Sequence, residues 1–260
     1  MRNRRNRKRI RRRGRLYLRR ITVVAVAAVV LFLMWWGGAY VNEFFNSKAP
    51  KEIQAANSDI NQGKQEKKES DNSKSRWQEA DFSGACVVLD AGHGGTDGGT
   101  VGGDIVEKDI NLAVTLKTKA ILEQHNIEVV LTRDSDENVS LSHRVTLANN
   151  YAADLFVSFH CNYYEDDSGV AGMECYHRPD SKEGKGYAES IIKAAESSGN
   201  IGVRAARADN YYVLDHTTMP AVLIEMGFLS NAGERERLSD KDYQEMLARQ
   251  IAEGIMSELK

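Results

Sequence analysis

The sequence is poor in cysteine and proline. Its 260 residues hold three Cys and three Pro. A low, odd cysteine count excludes a small fold stapled by disulfides. So few prolines, beside 21 Gly, exclude collagen-like and proline-rich linker classes. Acid is missing from residues 1–20, which carry eleven Arg and Lys8. Charge of either sign is missing from residues 21–41, ITVVAVAAVVLFLMWWGGAYV. A basic balance is missing from the rest. With 12 of the 35 bases in the first 20 residues, the other 23 face all 37 acids, a net of −14. A nucleic-acid-binding domain needs a basic face, so no nucleic-acid partner is expected.

What is present at the N-terminus suits a membrane. Residues 21–41 are long enough to cross a hydrocarbon core of about 30 Å at about 1.5 Å per residue. Positive charge flanks the cytoplasmic side of such spans. The expected order is a basic cytoplasmic tail over 1–20, then a transmembrane signal anchor over 21–41 with Trp35, Trp36 and Tyr40 at its outer interface. A cleavable signal peptide has a shorter apolar core and a small-residue cleavage site; GGAYVNE is a poor match. Residues 42–82 are dominated by Lys, Glu, Ser, Asn, Gln and Asp. Such a segment buries too little surface to offset its ordering entropy, which predicts a flexible extracytoplasmic stalk.

From residue 84 to 260 the texture is that of one globular domain without internal repeats. Short apolar runs alternate with amphipathic stretches, the pattern of βα units. Strands are expected over 85–89, 128–132, 155–159, 173–176, 211–214 and 221–225. Helices are expected over 108–125, 141–152, 182–198 and 240–259, the last capped by Ser239. In the first helix Ile110, Ala113, Leu116, Ala120 and Ile121 recur at helical spacing. Strands that are apolar throughout are covered on both faces. The fold class expected is therefore α/β, a mostly parallel or mixed sheet between helical layers.

Ligands in open α/β sheets sit at the carboxyl ends of strands. Three strands here approach that edge with metal-capable side chains: LDAGHGG with His93, LFVSFH with His160, and AVLIEMGF with Glu225. Glu107 opens the first helix after GHGGTDGGTVGG. That loop lacks the endings of a phosphate-binding P-loop and the spacing of a dinucleotide-binding turn. Its glycines suit backbone passing close to a polar site, with Asp97 and Asp104 nearby. Two His and a carboxylate form a usual zinc set with an open fourth position.

Four blocks in order carry a resemblance: LDAGHGGTDGGTVGG, EKDINLA, LSHRVTLANNYAADLFVSFHCN and MPAVLIEMGFLSN. Over about residues 84–258 the sequence resembles the zinc-dependent type 3 N-acetylmuramoyl-L-alanine amidases. The resemblance implies a twisted mixed sheet in three α/β/α layers and Zn²⁺ bound by His93, Glu107 and His160. It also implies Glu225 as the catalytic carboxylate. The implied substrate is peptidoglycan, a glycan strand with its stem peptide, cut between the lactyl group of N-acetylmuramic acid and L-alanine. Asn162 and Arg207 are candidate substrate-binding residues, with Asp215 and His216 as further groove candidates. Arg144 reads as a structural ion-pair residue, His125 as a helix C-cap, and Cys161 as a small buried thiol or, alternatively, a fourth ligand. Some members carry an inserted helix over the zinc site in the region of residues 165–187. That region is short and polar here, which predicts an open groove. The rival readings are a zinc carboxypeptidase or endopeptidase on wall peptides, and a non-catalytic wall-binding relative. A monomer tethered at the outer face of the cell membrane is expected.

Overall fold

The computed structural model describes residue 80, residues 82–151 and residues 153–259. The expected tail, membrane anchor and nearly all of the stalk lie outside the described residues. Among the described residues, no helix is long and apolar enough to cross a membrane.

The chain runs β1 (Cys86–Ala91), β2 (Val101–Gly102), β3 (Ile105–Val106), α1 (Glu107–Gln124), β4 (Glu128–Leu131), α2 (Leu141–Tyr151), β5 (Leu155–Asn162), β6 (Met173–His177), α3 (Lys182–Ser197), β7 (Val203–Ala208), α4 (Tyr212–His216), β8 (Ala221–Phe228), α5 (Ala232–Ser239) and α6 (Lys241–Glu258). Six strands form one sheet in the order β4-β1-β5-β8-β6-β7, and β2 pairs with β3 in a hairpin. β4, β1, β5 and β8 are mutually parallel. β6 joins β8 antiparallel and carries β7 parallel to itself. The sheet is thus mixed, as expected.

The central strands form because CVVLDA, LFVSFHCN and AVLIEMGF are rich in residues that fit a pleated, buried surface. Alternate residues feed two apolar clusters, one on each face. Val87, Leu89, Val157, Phe159, Val222 and Ile224 pack with side chains of α1, α3 and α6. Val88, Phe156, Leu223 and Tyr176 pack against Val145 and Ala148 of α2 and Val213 and Leu214 of α4. Helices therefore cover both faces of the sheet, giving the three layers.

Several details depart from expectation. Residues 211–214 are not a strand; Tyr212–His216 form a short helix. An apolar run that short is compatible with either state. Val213 and Leu214, adjacent in sequence, both enter the smaller cluster, which a strand's alternation forbids. The last helix is capped by Asp240, not Ser239: Asp240 Oδ1 accepts from the amides of Asp242 and Tyr243 at 3.0 and 2.8 Å. Ser239 closes α5 instead, donating to the Glu236 carbonyl. β7, VRAARA, and α5, AGERERLS, were not anticipated, since their charged residues hide any apolar period. α1 buries Ile110, Val114, Thr118 and Leu122, while Leu116 is exposed. Phe82, assigned by sequence to the stalk, is buried in the larger cluster with Ala80 against it. The folded part therefore begins before residue 84.

Candidate metal centre

His93 lies two residues past the end of β1, at φ 61°, a backbone region that non-glycine residues rarely occupy. A buried scaffold holds it there. Asp90, on β1, pairs with Arg144 of α2 at 2.5 Å and accepts from the hydroxyls of Thr132 and Ser158 at 2.6 and 2.7 Å. Arg144 also donates to the carbonyls of Ala91 and His93, both at 2.7 Å. Arg133 donates to the carbonyls of Ala91, Gly92 and Lys108 at 2.9, 3.0 and 2.8 Å. Two guanidiniums thus clamp three successive carbonyls at the turn that carries His93. Arg144 is the ion-pair residue its sequence position suggested.

Glu107 is the first residue of α1, and its carboxylate is almost wholly buried. The β2–β3 hairpin and the glycine loop bring it over the carboxyl edge of the sheet. Its Oε1 lies 3.3 Å from His93 Nε2 and 2.9 Å from His160 Nδ1. Asn111, one turn along α1, donates to the same oxygen at 3.1 Å, and the Cys161 amide does so at 3.1 Å. The Thr100 amide holds Oε2 at 2.8 Å. Two glycines make this possible. A Cβ on Gly92 would stand 2.3 Å from the His160 ring, and one on Gly99 would stand 2.5 Å from Glu107 Oε2.

His160 sits on β5 in register with Glu225 on β8. Both strands run beyond the expected limits, to Asn162 and Phe228, with a register shift between His160 and Asn162. Neighbouring strands are about 4.8 Å apart, so Glu225 stands beside the imidazole. The rings of His93 and His160 meet edge to face, with centroids 4.9 Å apart. One donor atom from each of His93, Glu107 and His160 lies within 4.8 Å of the other two. Three residues spread over 68 positions therefore converge on one point.

Charge follows geometry. Burial alone would raise the Glu107 carboxyl, but hydrogen bonds from His160 and His93, and the Thr100 amide, pull it far below the ordinary carboxylate range. Burial lowers His93, yet its bonds to Glu107 and Asp97 outweigh that and lift it to about 9. This pocket is built to hold positive charge. Glu225 is the opposite case. Burial pushes its carboxyl up to about 7, with His160 opposing and Glu107 and Glu174 reinforcing the rise. Its Oε2 is buried without a hydrogen-bond partner among the described residues. A groove of about 660 Å³ opens over the centre, lined by His93, His160 and Glu225 together with Leu141, Tyr211 and Tyr212. Residues 163–172, between β5 and β6, contain no helix.

The remaining candidates fall differently. Asn162 and Arg207 do not touch the three donors; both reach Glu174, at 3.4 Å each. His216 stacks on Tyr212, a groove residue, and bonds back to its carbonyl, without itself lining the groove. His125 is the C-cap of α1, and His143 is exposed. Cys161 packs into the larger cluster with Sγ 3.8 Å from Asn111 Oδ1, and burial keeps its thiol protonated. Cys161 is not among the donors that converge at the centre. Two participants were not assigned from sequence. Asp97 Oδ2 lies 2.9 Å from His93 Nδ1, the partner that fixes a ligating imidazole's orientation; its place four residues on, in the glycine loop, was the available signal. Glu174 is a lone acid in the apolar run MECYH, and that isolation was the signal missed.

Two imidazoles and a buried carboxylate that could hold a metal ion, with a second carboxylate beside them at the carboxyl edge of a sheet, fit the class of a hydrolase on an α/β fold. The family model of the N-acetylmuramoyl-L-alanine amidases matches residues 87–257, and the chain belongs to that family. Among curated relatives, the germination-specific N-acetylmuramoyl-L-alanine amidase of Bacillus subtilis is 32% identical over 192 residues, covering 67% of this chain and 80% of that protein. Among solved structures, the catalytic domain of the amidase CwlV from Bacillus (Paenibacillus) polymyxa var. colistinus superposes with a TM-score of 0.64 at 41% identity, covering 68% of this chain and 99% of that one. The amidase AmiC2 of Nostoc punctiforme gives 0.65 at 38% identity, covering 67% and 97%. This chain is a peptidoglycan amidase.

Proposed function

We propose that the amidase reaction is zinc-dependent, with His93, Glu107 and His160 holding Zn²⁺ and Glu225 moving the proton. The observation that carries this reading is the pairing of a cation-seeking donor set with a buried carboxylate whose Oε2 has no partner. Two nitrogens and one oxygen suit zinc and leave room for water or substrate. When bound there, Zn²⁺ supplies Lewis acidity to the scissile carbonyl and to water. Glu225 Oε2 accepts a proton from the attacking water as its oxygen adds to the lactyl carbonyl carbon. Glu225 then delivers that proton to the L-alanine nitrogen as the C–N bond breaks. A carboxyl with affinity for protons near neutrality suits both steps. Asp97 holds His93 in the tautomer that presents Nε2, and Asn111 holds Glu107. Asn162 and Arg207, both in reach of Glu174, serve as substrate-binding residues in this reading. Leu141 and Tyr212 offer apolar surface along the groove.

The basic tail, residues 21–41 and the segment before residue 80 supply a membrane tether in this reading, with a monomeric catalytic domain facing the wall. The charge pattern of residues 1–41 supports that placement.

The test is hydrolysis of purified sacculi by the full-length protein, with and without chelator. Activity should vanish on chelation and return with Zn²⁺, and the products should carry new L-alanine amino termini. Release of terminal D-alanine instead would favour the carboxypeptidase reading. Glu225→Gln should retain one zinc per chain and lose about 10²–10⁴-fold in turnover. Near wild-type turnover in that variant would remove Glu225 from the mechanism.

A further inference from the structure

Glu174 lies on β6 directly opposite Glu225 on β8, so the two side chains share a face, about 5 Å apart at the backbone. Glu174 is nearly fully buried and carries two cations. Arg204 Nε donates to Oε1 at 2.8 Å, and Arg207 approaches the same oxygen at 3.4 Å. Tyr176 Oη donates to Oε2 at 2.9 Å. The arrangement depends on a bulge: Met173 pairs with Val203 and Glu174 with Ala205, so Arg204 is the extra residue. A bulge re-aims the side chain it carries, and here it turns Arg204 onto Glu174.

Neutralising one carboxylate takes one guanidinium, and this cluster has two. Its net charge is +1, and Arg207 remains half exposed, with Glu174 as its sole ion-pair partner among the described residues. A planar guanidinium with free N–H groups is suited to bidentate capture of a carboxylate. Distance narrows the choice of carboxylate. The backbone of Arg207 stands two strand spacings from Glu225, about 10 Å, and its side chain turns back over β6 to reach Glu174, the residue paired with Glu225. The second residue of an extended peptide lies about 7 Å from the amide preceding the first.

We propose that Arg207, set in place by Glu174 and Arg204, binds the free α-carboxylate of a second stem-peptide residue that is joined onward through its side-chain carboxyl, and so orients the scissile lactyl–L-alanine amide against Glu225. This rests on the placement of the reaction centre at Glu225 and the three donors. Arg207 is then a substrate-binding residue, and Glu174 and Arg204 are positioning residues.

The experiment uses the zinc-loaded full-length protein and two muramoyl tripeptides that differ only in whether the second residue's α-carboxylate is free or amidated. The readout is the ratio of kcat/KM for the two compounds. Wild type should favour the free acid by about tenfold or more, mainly through KM. Arg207→Ala should bring the ratio to within about twofold of unity, and Arg207→Lys, which keeps the charge and loses the fork, should fall between. A wild-type ratio near one, or an Arg207→Ala ratio equal to wild type, overturns the proposal while leaving the reaction centre standing. Failure of the wild-type protein to cut either compound at the lactyl amide overturns the reaction centre and this proposal with it.

Discussion

Arg144 offers the sharpest test of how this fold holds its site. Its side chain is 4% exposed and that of Asp90 1%. Substituting Arg144→Met keeps most of the volume and removes the charge. Asp90 is then left with two hydroxyl donors, and the carbonyls of Ala91 and His93 lose their Arg144 donor. Breaking a buried ion pair by removing one partner costs about 3–5 kcal/mol. Domains of this size shift by roughly 2–4 °C in Tm per kcal/mol, so Tm should drop by about 6–20 °C. Scanning calorimetry measures it. The variant with both changes, Asp90→Asn and Arg144→Met, should be destabilised by less than the sum of the single effects, because no lone buried charge remains. Zinc affinity supplies a second readout, since Arg144 holds the carbonyl of His93 at its positive φ. A Tm within 2 °C of wild type for Arg144→Met would refute the view that this pair props the His93 turn.

Other outcomes follow from the same geometry. Asp97→Asn should weaken zinc binding by about 10–100-fold, as loss of an orienting partner does, with little change in Tm; competition against a fluorescent chelator reads it. Gly92→Ala should cripple activity while the protein folds, since its Cβ meets the His160 ring; full activity would mean the ring moves freely. The acid limb of kcat/KM at saturating zinc should lie above the ordinary glutamate value of about 4.3 and no higher than about 7. Activity is lost as pH falls through it, because the working base is the ionised form. A limb at the ordinary value would mean Glu225 is not desolvated in the working enzyme.

The central strands and long helices were legible because their apolar periods are undisturbed, and the three donors because each sits where a buried strand or glycine loop meets the sheet edge. What stayed hidden was set by partners distant along the chain. β7 alternates arginine with alanine and resembles no strand until Glu174 accounts for Arg204. The helix at Tyr212–His216 follows from packing of two adjacent apolar residues, which periodicity over five residues does not resolve. Asp97 was noticed as a loop acid, but its role needed the orientation of one imidazole. Arg207 was a reasonable binding candidate by sequence, and its contact with Glu174 changes the reason for choosing it. Residues 1–79 remain known from their composition alone.

The reversal of direction between β8 and β6 has an architectural consequence. β5 ends and β6 begins at the same rim, on opposite flanks of β8. The ten residues that join them must therefore bridge the tip of the strand bearing Glu225. Lengthening that bridge adds material at the rim where β8 ends, outside the strands that carry His160 and Glu225. That rim is thus open to insertion at one loop, independently of the residues that do the chemistry.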